Sequence, residues 1–288
     1  MPRQSLKPLL ARGKCLVAPG VFDLISTHIL NQHGAEATYM TGFGVVASAL
    51  GLPDAGLATY TEMVDRARRI AEFSKAPVIA DADTGYGGLL NVRHTVRGYE
   101  AAGIAAIQLE DQEFPKKCGH TPGRRVIPLA DMVRKIEVAA DSRSSADFLI
   151  IARTDSRTTL GLDEALRRAE AFAKAGADIL FVESPESEAE MEAIGRAFHQ
   201  PLLANMVEGG KTPILPRARL AELGFQVAIY PAAGFLSTAA TLDRMYSHLT
   251  TTGSSLDAPV PVFDFKKLTE ILGFPDVHAF ERRWAEGA

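Results

Sequence analysis

Apolar positions along this chain alternate between two periods. Short runs rich in Val, Ile, Leu and Ala occupy residues 14–18, 37–41, 77–83, 105–111, 148–155, 178–184, 201–206 and 226–231. Runs of this kind are the mark of strands buried on both faces in a parallel sheet. Between them apolar residues fall three and four apart, as in Leu162, Ala165, Leu166, Ala169, Phe172 and Ala173. That spacing predicts amphipathic helices over 23–32, 61–73, 91–102, 129–140, 162–175, 187–198 and 217–223. Gly34, Gly103, Gly176 and Gly224 stand just before the next strand, where glycine takes the left-handed conformation that ends a helix. The repeating unit is βα, and eight units on short connections predict an α/β fold closed into a (β/α)8 TIM barrel rather than an open sheet. We expect one domain over 1–288, with an N-terminal extension at 1–13. A helical run after Ala232, a polar break at 250–255 and a final run at 265–284 are surplus to eight units. They predict extra C-terminal helices, with a tail over about 250–288 that packs on the barrel or on a neighbouring subunit.

Composition narrows the partners. The 31 Lys+Arg against 35 Asp+Glu leave a net charge of −4 with no strongly basic window, so no nucleic-acid partner is expected. No stretch reaches the roughly 20 apolar residues of a membrane span, and the basic N-terminus lacks the apolar core of a secretion signal. Only two cysteines are present, Cys15 and Cys118, which excludes a disulfide framework and fits a reduced, cytoplasmic setting.

In such a barrel chemistry gathers at the C-terminal ends of the strands. Strand three ends in Asp81 and Asp83, strand four in Glu110, strand five in Arg153, strand six in Glu183 and strand seven in Asn205. Three carboxylates opposite one arginine exceed what structural ion pairs require, and concentrating them is costly without a cation. Oxygen-only ligands favour a hard ion, so Asp81, Asp83 and Glu110 predict Mg2+, with Mn2+ as the alternative. The competing reading pairs these acids with Arg153 and lysines and needs no metal. Zinc is disfavoured, since Cys118 and His120 lack a second ligand pair. The segment Lys116-Lys117-Cys118-Gly119-His120, bracketed by Pro115, Pro122 and Gly123, reads as a loop able to fold over the mouth with a thiol in basic surroundings. Cys118 is therefore a candidate proton donor near neutrality, whereas Cys15, on a strand, is expected to act as a small hydrophobe. Thr41-Gly42-Phe43-Gly44 and Glu208-Gly209-Gly210-Lys211-Thr212-Pro213 are expected to be loops rich in backbone donors for anionic oxygens.

Several motifs in order resemble the isocitrate lyase / phosphoenolpyruvate mutase superfamily over nearly the whole chain. They are Tyr39-Met40-Thr41-Gly42, Gly51-Leu52-Pro53-Asp54, Asp81-Ala82-Asp83-Thr84-Gly85-Tyr86-Gly87, Glu110-Asp111-Gln112, Lys116-Lys117-Cys118-Gly119-His120, Ile151-Ala152-Arg153-Thr154-Asp155 and Leu203-Ala204-Asn205-Met206. The cysteine loop is similar to that of the lyase branch. The resemblance implies Mg2+-dependent cleavage of a carbon–carbon bond in a 2-hydroxy dicarboxylate such as 2,3-dimethylmalate, or in 2-methylisocitrate, leaving an α-keto acid such as pyruvate. It implies Asp83 at the metal with Asp81 and Glu110 holding its waters, Arg153 on a substrate carboxylate and Cys118 as general acid, tuned by Lys116 and His120. Tyr39, Thr41 and Gly42 would bind the keto-acid part and Asp54 would orient it. Gly119, Glu183, Asn205 and Thr212 would line the rest. Phe43 and Pro231 stand where methylisocitrate lyases resemble a smaller residue and the start of a hydroxyl-bearing turn, which points to a smaller substrate. The segment 205–213 is similar to that of phosphonomutases and of dimethylmalate-lyase-like members, which keeps such a mutase as the alternative. A non-catalytic barrel that binds an anion is the reading from another class. The resemblance also implies a homotetramer in which the eighth helix is exchanged between subunits.

Overall fold

The computed structural model describes residues 5–119, 121 and 123–285. Two compact units divide the chain, residues 1–235 and 236–288.

In the first unit the chain opens with the short helix α1 (Lys7–Leu10) and then alternates strand and helix. The strands are β1 (Leu16–Val21), β2 (Thr38–Met40), β3 (Val78–Asp81), β4 (Ala106–Glu110), β5 (Leu149–Thr154), β6 (Ile179–Val182), β7 (Leu203–Asn205) and β8 (Val227–Tyr230). Seven fall within their predicted runs, and β1 begins inside its run at 14–18 and continues to Val21. All neighbours pair in parallel in the order β6-β5-β4-β3-β2-β1-β8-β7. An isolated parallel bridge, Leu180 to Leu202, with Leu180 N–H donating to Pro201 O at 2.9 Å, joins the two outer strands and closes the barrel.

The helices of the ring are α2 (Leu24–Leu30), α3 (Gly42–Leu50), α4 (Tyr60–Phe73), α5 (Leu89–Ala101), α6 (Leu129–Ser142), α7 (Arg157–Leu160), α8 (Leu162–Lys174), α9 (Glu188–Ala197) and α10 (Arg217–Glu222). The four glycines read as helix stops have φ of 63° (Gly34), 89° (Gly103), 103° (Gly176) and 92° (Gly224), all left-handed. The expected loop at Thr41-Gly42-Phe43-Gly44 is instead the start of α3: Thr41 accepts from Gly44 N–H at 3.3 Å as its N-cap. Two glycines disguise that helix, because its remaining residues are apolar on nearly every side, Ser48 apart, and carry no polar stripe.

The period of two sorts each strand into an outer and an inner face. Outward residues such as Ala80, Ile107, Ile150 and Leu180 join the large core under the helices. Inward residues Leu16, Tyr39, Ile79, Ala106, Ile151, Phe181, Leu203 and Ile229 fill the barrel itself. Leu6, fully buried, joins this inner cluster with Leu9 and Leu10 against it, so α1 belongs to the barrel's own packing.

After β8, α11 (Ala233–Thr252) runs across the boundary between the units, and the second unit adds α12 (Phe265–Ile271) and α13 (Phe274–Ala285). These are the extra C-terminal helices. No helix among the described residues is long and apolar enough to cross a membrane.

Candidate active site

From β3 to β7 the inward face of each strand begins apolar and ends polar. In β3 the inward series runs Ile79, Asp81 and on to Asp83; in β4 it runs Ala106, Gln108, Glu110. In β5 it runs Leu149, Ile151, Arg153 and on to Asp155; in β6, Ile179, Phe181 and on to Glu183; in β7, Leu203, Asn205. The period-two rule therefore carries all these polar groups to one end of the barrel, and all are buried. The odd partners point outward: Asp111 accepts from Thr154 Oγ1 at 2.7 Å and pairs with Arg168 of α8 at 3.0 Å, holding the ends of β4 and β5 to the helix layer.

Acids outnumber cations in this mouth. Lys116 pairs with Asp54 and, at 2.6 Å, with Asp83. Arg153 holds Asp155 through two hydrogen bonds of 2.9 and 2.8 Å, lies 3.3 Å from Glu183 and 3.4 Å from Glu110, and covers the Phe181 ring at 5.1 Å. A second arginine, Arg124, reaches Asp155 at 2.5 Å, so the single arginine expected from the strands is one of two. Asp54, Asp81, Asp83, Glu110, Asp155 and Glu183 thus face Lys116, Arg153 and Arg124. Burial pushes Asp83 up to about 6 against the pull of Lys116. Burial likewise raises Asp81, and it raises Glu110 well above the usual carboxylate range although Arg153 opposes it. Asp155 goes the other way: burial would raise it, but Arg153 and Arg124 hold it down. For Lys116, burial is outweighed by Asp83, Glu110, Asp54 and Asp81, which keep it protonated.

Among the described residues no three His, Cys, Asp or Glu side chains converge at metal-ligand spacing, and the cation beside Asp83 is Lys116. The donor set nonetheless fits a hard divalent ion. It is all oxygen, it carries uncompensated negative charge, and the buried Glu110 Oε1 has no hydrogen-bond partner. Asp81 has room only because residue 42 is glycine: a Cβ there would lie 2.5 Å from Asp81 Oδ2.

The loop after β4 is tied at its base. Gln112 and Val126 form an antiparallel bridge, Gln112 donates to Lys117 O at 2.8 Å, and Lys117 N–H donates back at 2.9 Å. Cys118, half-buried, donates its N–H to Asp54 O at 3.1 Å. Gly119 is pressed onto the mouth, where a Cβ would lie 2.3 Å from Arg153 Nη2 and 3.1 Å from Glu183. His120 and Pro122 lie outside the described residues. The basic surroundings expected of Cys118 are largely engaged elsewhere, Lys116 by two carboxylates and Lys117 Nζ by Gly123 O at 3.3 Å.

Comparison with known proteins agrees with this geometry. The family model described as phosphoenolpyruvate phosphomutase matches residues 6–250. The 2,3-dimethylmalate lyase of Eubacterium barkeri is 47% identical over 284 residues, covering 98% of each chain. The chain belongs to the phosphoenolpyruvate mutase/isocitrate lyase superfamily. The superfamily's 2-methylisocitrate lyase from Aeropyrum pernix is 38% identical over 285 residues, covering 99% of this chain and 91% of that one. A solved oxaloacetate acetylhydrolase, bound to the inhibitor 3,3-difluorooxalacetate, superposes with a TM-score of 0.92 at 33% identity over 99% of this chain and 97% of its own. The chain is accordingly an enzyme of this superfamily, whose relatives act as lyases, mutases and hydrolases.

Against that family frame the remaining predicted residues divide. Tyr39 donates to Gln108 Oε1 at 3.2 Å beneath the carboxylates, and Asn205 Nδ2 donates to Glu183 at 3.0 Å. Thr212 is buried, its Oγ1 without a hydrogen-bond partner. Phe43, at the second position of α3, stacks edge-on against Phe235, which follows β8, with the ring centroids 5.6 Å apart. Pro231 sits at the end of β8, where its carbonyl and that of Tyr230 would both meet a Cβ on Gly20 at 2.7 Å. Arg124, Asp155, Gln108 and Ser184 also reach the mouth, though none carried a role in the expected site. Ser184 is fully buried at φ +60°, and its Oγ lies 3.2 Å from Gly119 O and 3.0 Å from Glu183. Gln108 and Asp155 were findable from the inward parity of their strands; Arg124 and Ser184 carry no such signal.

Proposed function

We propose that this enzyme cleaves a carbon–carbon bond in a small 2-hydroxy dicarboxylate, a 2-alkylmalate such as 2,3-dimethylmalate, to an α-keto acid and a second carboxylic acid. The observation that carries the reading is a buried, acid-rich barrel mouth with the segment bearing Cys118 laid over it, in a chain 47% identical to a lyase of that substrate class. Asp83, Asp81 and Glu110 would hold Mg2+ or Mn2+, which supplies a positive centre for the substrate's 2-oxygen and adjacent carboxylate. The chain's own groups do the rest. Thr41 and Gly42, at the first turn of α3, would bind the keto-acid end, and Arg153, now among Glu110, Asp155 and Glu183, would orient a carboxylate. As a carboxylate of the mouth takes the 2-hydroxyl proton, the O–H electron pair forms the keto C=O, the C2–C3 bond breaks and its electron pair passes into the enolate of the departing acid. Cys118 returns a proton to that carbon.

The preference over 2-methylisocitrate is supported by the relative and by Ala232-Ala233, which present no hydroxyl after β8. NMR of products from 2,3-dimethylmalate, 2-methylisocitrate, oxaloacetate and phosphonopyruvate, each with Mg2+ and with EDTA, tests the reading. Metal-dependent pyruvate from the first is expected. A rearranged C–P product would install the mutase, and turnover that survives Cys118→Ser would remove the thiol as acid.

The two free cysteines support a reducing, cytoplasmic setting. A homotetramer, with the helix after β8 exchanged between subunits, is supported by the apolar side chains left uncovered in residues 236–288, among them Phe265 at 81%, Phe280 at 65% and Trp284 at 64% exposure. A monomer by light scattering would refute it.

A further inference from the structure

The turn after β3, which carries Asp81 and Asp83, is held in a costly backbone shape. Asp83 and Tyr86 have φ of +48° and +57°, flanked by Gly85 at +83° and Gly87 at +143°. A non-glycine residue there costs on the order of 1–3 kcal/mol and persists only where its surroundings enforce it. The enforcement is visible carbonyl by carbonyl. Within the barrel, Ala82 O accepts from Gly85 N–H and Asp83 O from Glu110 N–H, both at 2.9 Å. Three further carbonyls are taken by side chains of the helix layer: Asp81 O by Tyr99 Oη at 3.2 Å, Gly85 O by Thr95 Oγ1 at 3.2 Å, and Thr84 O by Lys135 Nζ at 2.9 Å. Tyr99, its proton spent on Asp81, accepts from Tyr86 Oη at 2.9 Å.

Lys135 stands apart from the other two. Thr95 and Tyr99 belong to α5, the helix that follows this turn, whereas Lys135 comes from α6, one βα unit further on. Its ammonium is half-withdrawn from water and is aimed at a carbonyl. Burial lowers its pKa, with Asp131 one turn earlier on α6 pulling the other way. The carbonyl it meets, that of Thr84, lies one residue from Asp83. Helix α6 is also where the Cys118 loop ends: Ile127 N–H donates to Asp111 O at 2.9 Å, and α6 begins two residues later.

We propose that Lys135, through the Thr84 carbonyl, is a positioning residue that fixes the Asp81–Asp83 turn in the shape that receives the divalent cation and couples helix α6 to it. This rests on the reading of Asp81, Asp83 and Glu110 as the metal-holding group. The test uses the full chain and Mn2+ alone as probe, with free Mn2+ counted by electron paramagnetic resonance, beside kcat and KM on 2,3-dimethylmalate at saturating metal. Groups that support metal ligands contribute about 10–100-fold in affinity, so Lys135→Met should weaken Mn2+ binding at least ~10-fold and lower kcat with KM little changed. Lys135→Arg, which keeps charge and donor, should recover most of both. Lys135→Gln, more conservative in polarity, serves if the methionine variant fails to fold and should weaken Mn2+ in the same direction. Wild-type protein that binds no Mn2+ would overturn the metal reading itself. Wild type that binds while the variants bind equally well would overturn the role of Lys135 alone, as would loss in Lys135→Met that Lys135→Arg fails to restore.

Discussion

Lys116→Met tests whether the mouth is a balanced charge system or a loose collection of ion pairs. The lysine side chain is 3% exposed, and its partners Asp54 and Asp83 are 6% and 7% exposed. Four carboxylates hold it protonated, so the substitution removes one full positive charge at any working pH. Taking one partner from a buried pair costs about 3–5 kcal/mol, because the remaining charge is left without compensation. For a chain of this size ~1 kcal/mol moves the thermal midpoint by roughly 2–4 °C, so the lower bound of that range predicts a fall of roughly 6–12 °C. The assay is calorimetry in EDTA at one fixed scan rate, with Asp54→Asn and the double variant completing a cycle. The double variant should lose less than the sum of the singles, since it removes both charges of one contact. Adding Mn2+ should narrow the gap, as a cation then replaces part of the missing charge. A midpoint within about 2 °C of wild type in EDTA would refute the claim that Lys116 balances this site.

Three further outcomes follow from the same geometry. Gly42→Ala forces a methyl against the buried Asp81 carboxylate and should lower stability by about 1–3 kcal/mol and cut turnover at least ~10-fold by displacing Asp81; full activity with an unchanged thermal midpoint would show that the contact is irrelevant. Burial pushes Cys15 up to about 11, so at pH 8 only ~0.1% of it is thiolate; a disulfide reagent should titrate Cys118 first and Cys15 only after denaturation, and equal rates would contradict this. Because the Cys15 group is raised, its reactivity should climb with pH toward that value. Asp155→Asn leaves Arg153 and Arg124 sharing less negative charge and should destabilise the fold by about 3–5 kcal/mol in urea titration; a change below ~1 kcal/mol would mean the two guanidiniums have other counter-charges.

The barrel was legible because its two periods are clean. Every run of buried aliphatics became a strand, since a parallel sheet covered on both faces demands residues such as Ile150, Ile151 and Leu180 on both sides. The helix α3 was not, because Gly42 and Gly44 look like a turn until Thr41 is seen to cap them. Among site residues, Asp81, Asp83, Glu110, Arg153, Glu183 and Asn205 could be placed from strand parity alone. What parity cannot give is who pairs with whom. That Lys116 would serve Asp54 and Asp83 rather than the thiol two residues on, or that Phe43 would turn to Phe235, is set by contacts between distant segments. Ser184 and Lys135 were invisible for the same reason: each acts on a backbone carbonyl, and a carbonyl has no letter in the sequence.

The barrel's seam gives these residues a kinetic meaning. β4 and β5 are paired over five positions, from Ala106↔Leu149 to Glu110↔Arg153, but β6 and β7 meet through the single Leu180–Leu202 bridge, and β7 is only three residues long. Few ladder bonds must break there, so amides beside that seam should exchange with solvent before those of β4 and β5. Glu183 and Asn205 face each other across the same gap at 3.0 Å, one from each side. A substrate that engages both residues should slow deuterium uptake along β6 and β7, so exchange at this seam would report how full the mouth is.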